Sequence, residues 1–278
     1  MSRPMLRATA AVASALAFAL PLTAGAQDDR SRRDAFTWED DVPAGRWVHV
    51  RNVNGDVRVE RASGGRVSVT ATKRWRRGDP SRVRVVQQAA SDGRGVVICA
   101  LYDRGDGGRC DEREYRSGKG GDWWNGRNDD VSVDFVVRVP PGVRVDLATT
   151  NGSVDVRGAG SEVVAHTTNG NVRAESEGGP VVARTTNGNV TARMAALGDA
   201  RDLDFATTNG SVVVEMPDDL GAEVSMSTTN GSVSTEFPAT VQGRLSPRRL
   251  TLTLGDGSRR VRMHTTNGNV ELRRGRGR

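Results

Sequence analysis

Six copies of Thr-Thr-Asn-Gly run through the second half of the chain, with Asn at positions 151, 169, 187, 209, 230 and 267, each followed by Ser or Asn and then Val. The steps between these Asn residues are 18, 18, 22, 21 and 37, the last close to two ordinary periods. A near-fixed period of this length predicts an array whose units cannot bury their apolar faces alone and stack on their neighbours to do so. Roughly four inward apolar side chains per unit cannot offset the backbone entropy of eighteen ordered residues. An isolated unit would be unfolded.

Counting from each Asn as zero, Thr stands two positions before it in all six copies. Four before it stand Leu147, Ala165, Ala183, Phe205, Met226 and Met263, and six before it Val145, Val163, Val181, Leu203, Val224 and Val261. Val stands three after it every time, at 154, 172, 190, 212, 233 and 270; five after it come Val156, Ala174, Ala192, Val214, Thr235 and Leu272. Apolar residues at alternate positions on both sides of Asn-Gly predict two strands per unit, each with one buried face. The positions between them, such as Asp155, Arg173 and Glu271, are polar and face water. Connectors such as Arg157-Gly158-Ala159-Gly160 and Glu177-Gly178-Gly179-Pro180 absorb the variation in period.

Two all-β architectures fit. One is an antiparallel meander with Asn-Gly hairpin turns. The other is a β-solenoid in which each unit is one coil and the bends at Asn151-Gly152, Asn169-Gly170, Asn187-Gly188, Asn209-Gly210, Asn230-Gly231 and Asn267-Gly268 stack as a turn ladder. The solenoid explains more, because a hairpin has no reason to fix both Thr residues, whereas stacked coils place like residues above one another. The inward Thr residues are expected to meet hydroxyl to hydroxyl. The same register recurs around Asn54-Gly55, with Val48, Val50, Val57 and Val59 inward and Asn52-Val53 in place of the Thr pair. The 97 residues from Asn54 to Asn151 amount to about five periods and read as degenerate coils. A Gly-, Arg- and Asp-rich excursion over 102–130 interrupts them, and it is expected to be a mobile loop.

Arg3 and Arg7, an apolar run from Ala8 to Leu22 and Ala24-Gly25-Ala26 make residues 1–26 a secretory signal peptide. That predicts an exported chain, periplasmic, at the cell surface or secreted, that does not span a membrane once cleaved. The net charge of +6 falls to +4 when the two leader Arg are removed, and to zero without Arg273, Arg274, Arg276 and Arg278. A folded body near neutrality in an exported chain argues against nucleic acid. Residues 27–45 read as a lead-in, 46–142 as the degenerate part, 143–273 as the regular stack and 274–278 as a solvated basic tail. Cys99 and Cys110 flank a Gly-rich loop, and in an oxidising compartment they are expected to form a disulfide contributing up to ~3 kcal/mol.

The Thr-Thr-Asn-Gly-Ser/Asn-Val repeats, the strand from Val131 into Pro140-Pro141-Gly142, the Asn54-Gly55-Asp56-Val57 unit and the leader together resemble a bacterial family. It is the DUF4097 family of β-strand-repeat proteins, whose members carry an adhesin label. The likeness spans roughly Phe36 to Arg273. It implies a right-handed, single-stranded parallel β-helix with coils of about 18–22 residues. It carries over no functional residue.

Some parallel β-helices are polysaccharide lyases or hydrolases, and that chemistry needs carboxylates clustered on one outer face. The column four after each Asn reads Asp155, Arg173, Thr191, Val213, Ser234 and Glu271, and the column five before reads Asp146, Val164, Val182, Asp204, Ser225 and Arg262. Neither builds an acidic cluster on adjacent coils, although Asp218-Asp219 in a connector could meet other coils. His49, His166 and His264 are expected at the surface, and no P-loop or Gly-x-Ser-x-Gly elbow occurs. No cofactor or metal site is expected. Arg-Gly-Asp at 77–79 and 104–106 arises readily in a chain this rich in Arg and Gly. Trp123-Trp124, on a polar loop, is the better candidate for ligand contact, with burial against the stack as the equal alternative. The sequence therefore reads as a non-enzymatic module acting through its surface on an envelope polysaccharide or a protein partner, with a polysaccharide-processing enzyme as the alternative.

The register itself is testable. Val190→Asp, at an inward position of a middle coil, should destabilise strongly through an unpaired buried charge. Arg193→Ala should change little. Equal effects in urea unfolding would show the register to be wrong.

Overall fold

The computed structural model describes residues 35–102, 108–117, 130–238 and 246–275. The leader, Trp123-Trp124, Arg104-Gly105-Asp106 and residues 276–278 lie outside them. The described residues are all-β apart from a single helical turn at Pro80–Arg82.

The chain begins with β1 (Ala35–Asp40), β2 (Trp47–Arg51), β3 (Val57–Arg61), β4 (Val67–Arg74), β5 (Val83–Ala89) and β6 (Gly95–Tyr102). A two-residue ribbon, β7 (Arg109–Cys110) and β8 (Tyr115–Arg116), precedes β9 (Ser132–Val139). The repeats supply β10 (Arg144–Asn151), β11 (Val154–Ala159), β12 (Val163–Asn169), β13 (Val172–Ser176), β14 (Val181–Arg184), β15 (Val190–Met194), β16 (Asp202–Ala206) and β17 (Val212–Met216). The end of the chain forms β18 (Ala222–Asn230), β19 (Val233–Thr235), β20 (Arg249–Leu254), β21 (Arg259–Asn267) and β22 (Val270–Arg274).

Strands on the two sides of an Asn-Gly join different sheets. Sheet A has the order β1-β4-β9-β3-β11-β13-β15-β17-β22-β19, and sheet B the order β20-β18-β21-β16-β14-β12-β10-β2-β6-β5. Within the repeats the pairings are parallel and in register, so that Val172 lies beside Val190 and Ala165 beside Ala183, apart from a shift between Val156 and Ala159 where β11 meets β13. The meander with Asn-Gly hairpins is thereby excluded. The inward columns of both sheets form one continuous core, in which Leu147, Phe205, Val190 and Met263 are fully buried.

The rim explains the repeat. In the spatial order 54, 151, 169, 187, 209, 267, 230, each Asn after the first donates from Nδ2 to the Oδ1 of the Asn before it, at 2.7 to 2.8 Å. The first Thr of each repeat is buried, but hydroxyls do not meet hydroxyls as the sequence suggested. Instead each Oγ1 donates to a glycine carbonyl one level away: Thr167 to Gly152 at 2.8 Å and Thr185 to Gly170 at 2.9 Å. The glycine is required twice over. Gly188 has φ +154°, and a Cβ placed on it would overlap the carbonyl oxygen of Gly170. A further line of bonds runs two residues past the Asn, where Asn189 N donates to Asn171 Oδ1 at 2.9 Å and Ser211 N to Asn189 Oδ1 at 2.8 Å.

The order of the levels corrects the single, sequentially wound helix. Asn230 bonds to Asn267, so no missing coil lies in the 37-residue step. β20 runs back antiparallel along β18, and β21 and β22 then insert between the β16/β17 and β18/β19 levels. At the other end Asn54 bonds directly to Asn151, so five degenerate coils do not intervene. There β2/β3 is an interior level and β6/β9 stacks outside it. Antiparallel β4, β1 and β5 then extend the sheets. A parallel stack ends in open edges that invite further pairing, and the reversed strands β20, β4 and β5 each cover one. The core strands are therefore parallel and their margins antiparallel. The basic end also differs from a solvated tail, since β22 continues to Arg274, whose guanidinium pairs with Asp218 at 3.0 Å.

Gly188→Ala should abolish cooperative folding or lower the midpoint sharply, because both its φ and the neighbouring carbonyl exclude a side chain. Thr185→Val should cost about 1 to 3 kcal/mol by leaving the Gly170 carbonyl without its donor. A Gly188→Ala protein with wild-type thermal stability would contradict this account of the rim.

Candidate functional site

The excursion is an insertion at the turn of the terminal level. Its described part, 108–117, folds back over the outer face of sheet B as the β7–β8 ribbon. For these residues this differs from the mobile loop expected over 102–130, of which 103–107 and 118–129 lie outside the described residues. Cys99 and Cys110 are joined by a disulfide, with Cα atoms 5.9 Å apart. Around it Ala90, Val97 and Leu101 are buried, with Val86 and Tyr115 packed against them as a second small core. Tyr115 donates its hydroxyl to the Ala100 carbonyl at 2.5 Å, and burial raises its pKa well above the ordinary phenol value. Ser91 donates both its N–H and its hydroxyl to the Glu112 carboxylate, chiefly through which the pKa of Glu112 falls to about 2.

Beneath the ribbon lies a charged cluster. Arg51, 7% exposed, forks onto Asp146 at 2.6 and 3.1 Å and donates to the Glu112 carbonyl at 3.1 Å. His49 Nδ1 lies 2.9 Å from Asp146 Oδ2, its ring stacks on Trp47, and the Arg144 guanidinium sits 5.6 Å from the Trp47 centroid. Burial pushes the Asp146 carboxyl up, but the hydrogen bond from His49 and the charge of Arg51 outweigh it, leaving the pKa at about 2. Burial lowers the pKa of His166 on the neighbouring strand. His49 is therefore buried in an ion network, contrary to the surface placement expected of it. At 9% exposure it is stacked on Trp47 and bonded to Asp146, and so presents no open base. The sequence placed Asp146 in an outward column and did not single out Arg51. Their meeting depends on the adjacency of the Asn54 and Asn151 levels, which lie 97 residues apart.

A second feature is a groove of about 570 Å³ where the connectors leave sheet A. Glu175, Glu177, Glu215, Asp218 and Asp219 line it together with Arg193, Met194 and Pro217. The connector acids thus do meet those of other levels. Four of the five are held by arginine: Glu175 by Arg173 at 2.6 Å, Glu177 by Arg61 at 2.9 Å, Glu215 by Arg193 at 3.2 Å and Asp218 by Arg274 at 3.0 Å. No group of acids, His or Cys among the described residues has the spacing to hold a metal ion. The described Arg-Gly-Asp is committed to its own loop. Asp79 caps the 80–82 turn through Ser81, and Asp130 binds the backbone N–H groups of Arg76, Arg77 and Gly78.

Two facing sheets with an Asn-Gly rim and no open catalytic constellation among the described residues define an all-β repeat module. The family model described as Toastrack DUF4097 matches residues 111–273, more than half of the chain, and the chain belongs to that family. A candidate cell adhesion protein from Clostridium sporogenes shares the fold at 8% identity, with a TM-score of 0.50 over 87% of this chain and 100% of that one. A candidate adhesin from Bacteroides fragilis aligns at 10% identity over 86% of this chain and 96% of that one, with a TM-score of 0.26. No curated protein matches the sequence. No helix among the described residues is long and apolar enough to cross a membrane.

Asp146→Asn should destabilise by about 3 kcal/mol, since it strands Arg51 beneath the ribbon. The pH dependence has a definite sign. A depressed carboxylate contributes stability above its ordinary pKa of about 4 and loses it as pH falls. Wild-type stability should drop as the pH falls from about 4 towards the Asp146 value of about 2, and the Asn variant should lack part of that drop. Identical acid slopes in urea unfolding would contradict the assignment.

Proposed function

We propose that this chain is an exported, non-enzymatic, adhesin-like module that binds an envelope polysaccharide or a protein partner through its outer surface. The observation that carries this reading is the state of the groove acids. Hydrolysis by a carboxylate pair needs one acid and one base free to approach the sugar. Here four of the five carboxylates are neutralised by arginines at 2.6 to 3.2 Å. The first Thr, Asn and Gly of each repeat are likewise committed to the rim, which leaves the variable outward columns and the excursion for recognition. The name of the Clostridium protein, a candidate cell adhesion protein, agrees with this. We infer that the regular levels wind right-handed, the usual sense of parallel crossovers.

The gathering of five acids in one groove favours the enzyme alternative, and one experiment separates the two. The purified mature chain is incubated with envelope polysaccharides, and bound polymer and newly released sugar ends are measured together. Saturable binding without new ends is expected, unchanged by Glu215→Gln. Turnover that Glu215→Gln abolishes would establish the enzyme. Loss of binding in a Trp123→Ala, Trp124→Ala variant, with the disulfide intact, would assign the contact to that pair.

A further inference from the structure

The two outer faces of the C-terminal levels differ in how their charge is balanced. On sheet A, Arg157 pairs with Asp155, Arg173 with Glu175, Arg193 with Glu215 and Arg273 with Glu271. On sheet B two arginines are left without such a partner. The register sets Arg184, Ala206, His264, Ser227 and Arg249 side by side on β14, β16, β21, β18 and β20, in one row running across the strands. The adjacent row holds Asp204, Arg262, Ser225 and Thr251, and the row beyond it Asp202, Arg260, Glu223 and Thr253, where Arg260 pairs with Asp202 at 3.5 Å and the exposed Glu223 bounds the face on that side. Asp204 pairs with Arg184 at 3.2 Å. Arg249 and Arg262 are exposed, and neither side chain makes a hydrogen bond or ion pair among the described residues.

We propose that this face of sheet B is a binding platform for a linear acidic polysaccharide laid across the strands. With strands about 4.8 Å apart, the row from Arg184 to Arg249 is about 19 Å long, and Arg262 and Arg249 stand about 12 Å from each other. Guanidinium groups at that separation can each take one anionic group of an extended chain, in forked geometry. The hydroxyls of Ser225, Ser227 and Thr251 lie between them, suited to sugar hydroxyls rather than to a lipid interior. No aromatic side chain stands in either row to stack a base, which disfavours nucleic acid. The flat face requires no pocket, because a polymer gains affinity from many shallow contacts along its length.

The proposal rests on the surface-acting reading above and names its ligand class. The test measures binding of the purified mature chain to polygalacturonate, heparin, poly(glycerol phosphate), neutral dextran and duplex DNA. Binding to one or more of the first three is expected, weakening as salt rises, with none to dextran. Their relative affinities separate carboxylate, sulfate and phosphate as the anion. Arg249→Gln with Arg262→Gln should reduce that binding at least tenfold while leaving the melting temperature unchanged. Arg173→Gln with Arg273→Gln, on sheet A, should leave it unchanged. Equal binding by the sheet B variant, or equal binding of DNA, would overturn the proposal. Adhesion to cells that persists in the sheet B variant while acidic glycans fail to bind would overturn this assignment alone. Release of sugar ends would instead overturn the surface-acting reading.

Discussion

The structure depends on the approach of one backbone bend to the next at the Asn-Gly rim. Each glycine carbonyl lies where the next level's glycine would carry a Cβ, and the buried Thr hydroxyl of that neighbouring level donates to it. Every other regularity follows from holding the bends at that separation. The strands leave each bend in register, the inward columns superimpose, and the Asn amides bond from level to level. Val, Ala and Met columns then fill the space between two sheets that no single level could close.

A rim of this kind tolerates changes of connection as long as each level presents the same bend. Steps of 18, 22 and 21 residues are absorbed in connectors, and the last step is absorbed by reversal and insertion. At the N-terminal end the outermost level dispenses with the bend altogether. The excursion leaves from β6 and returns at β9, and the carbonyl of Val133 takes the place of a glycine carbonyl as acceptor for Asn52 Nδ2, at 2.8 Å. Because the bend there is replaced, the excursion can fold back over sheet B, where the disulfide and the Arg51–Asp146 pair hold it.

Much of this was legible in the chain. Alternation around Asn151 or Asn187 identifies the inward columns, and a fixed Thr-Thr before Asn-Gly distinguishes stacked coils from hairpins. What was not legible is the order of levels. Period-2 patterning reports which side of a strand is buried and is silent about which strand lies beside it. Hence the step from Asn230 to Asn267 resembled two periods, and the stretch from Asn54 to Asn151 resembled five. The Arg51–Asp146–His49 cluster was hidden for the same reason, since its partners come from levels remote in sequence. The groove acids were glimpsed at Asp218-Asp219, but their arginine partners required the register. The role of the inward Thr was also misassigned, because its acceptor is a main-chain carbonyl that no side-chain pattern reveals.

The order of levels at the C-terminal end can be read directly by oxidising cysteine pairs placed on the exposed rim. Thr229→Cys with Thr266→Cys, and Thr208→Cys with Thr266→Cys, lie on neighbouring levels and should each cross-link readily in the folded protein. Thr208→Cys with Thr229→Cys, separated by the inserted level, should not. Cross-linking of the 208 and 229 pair, with none at 229 and 266, would show that the levels stack in sequence order and would contradict the inserted rim.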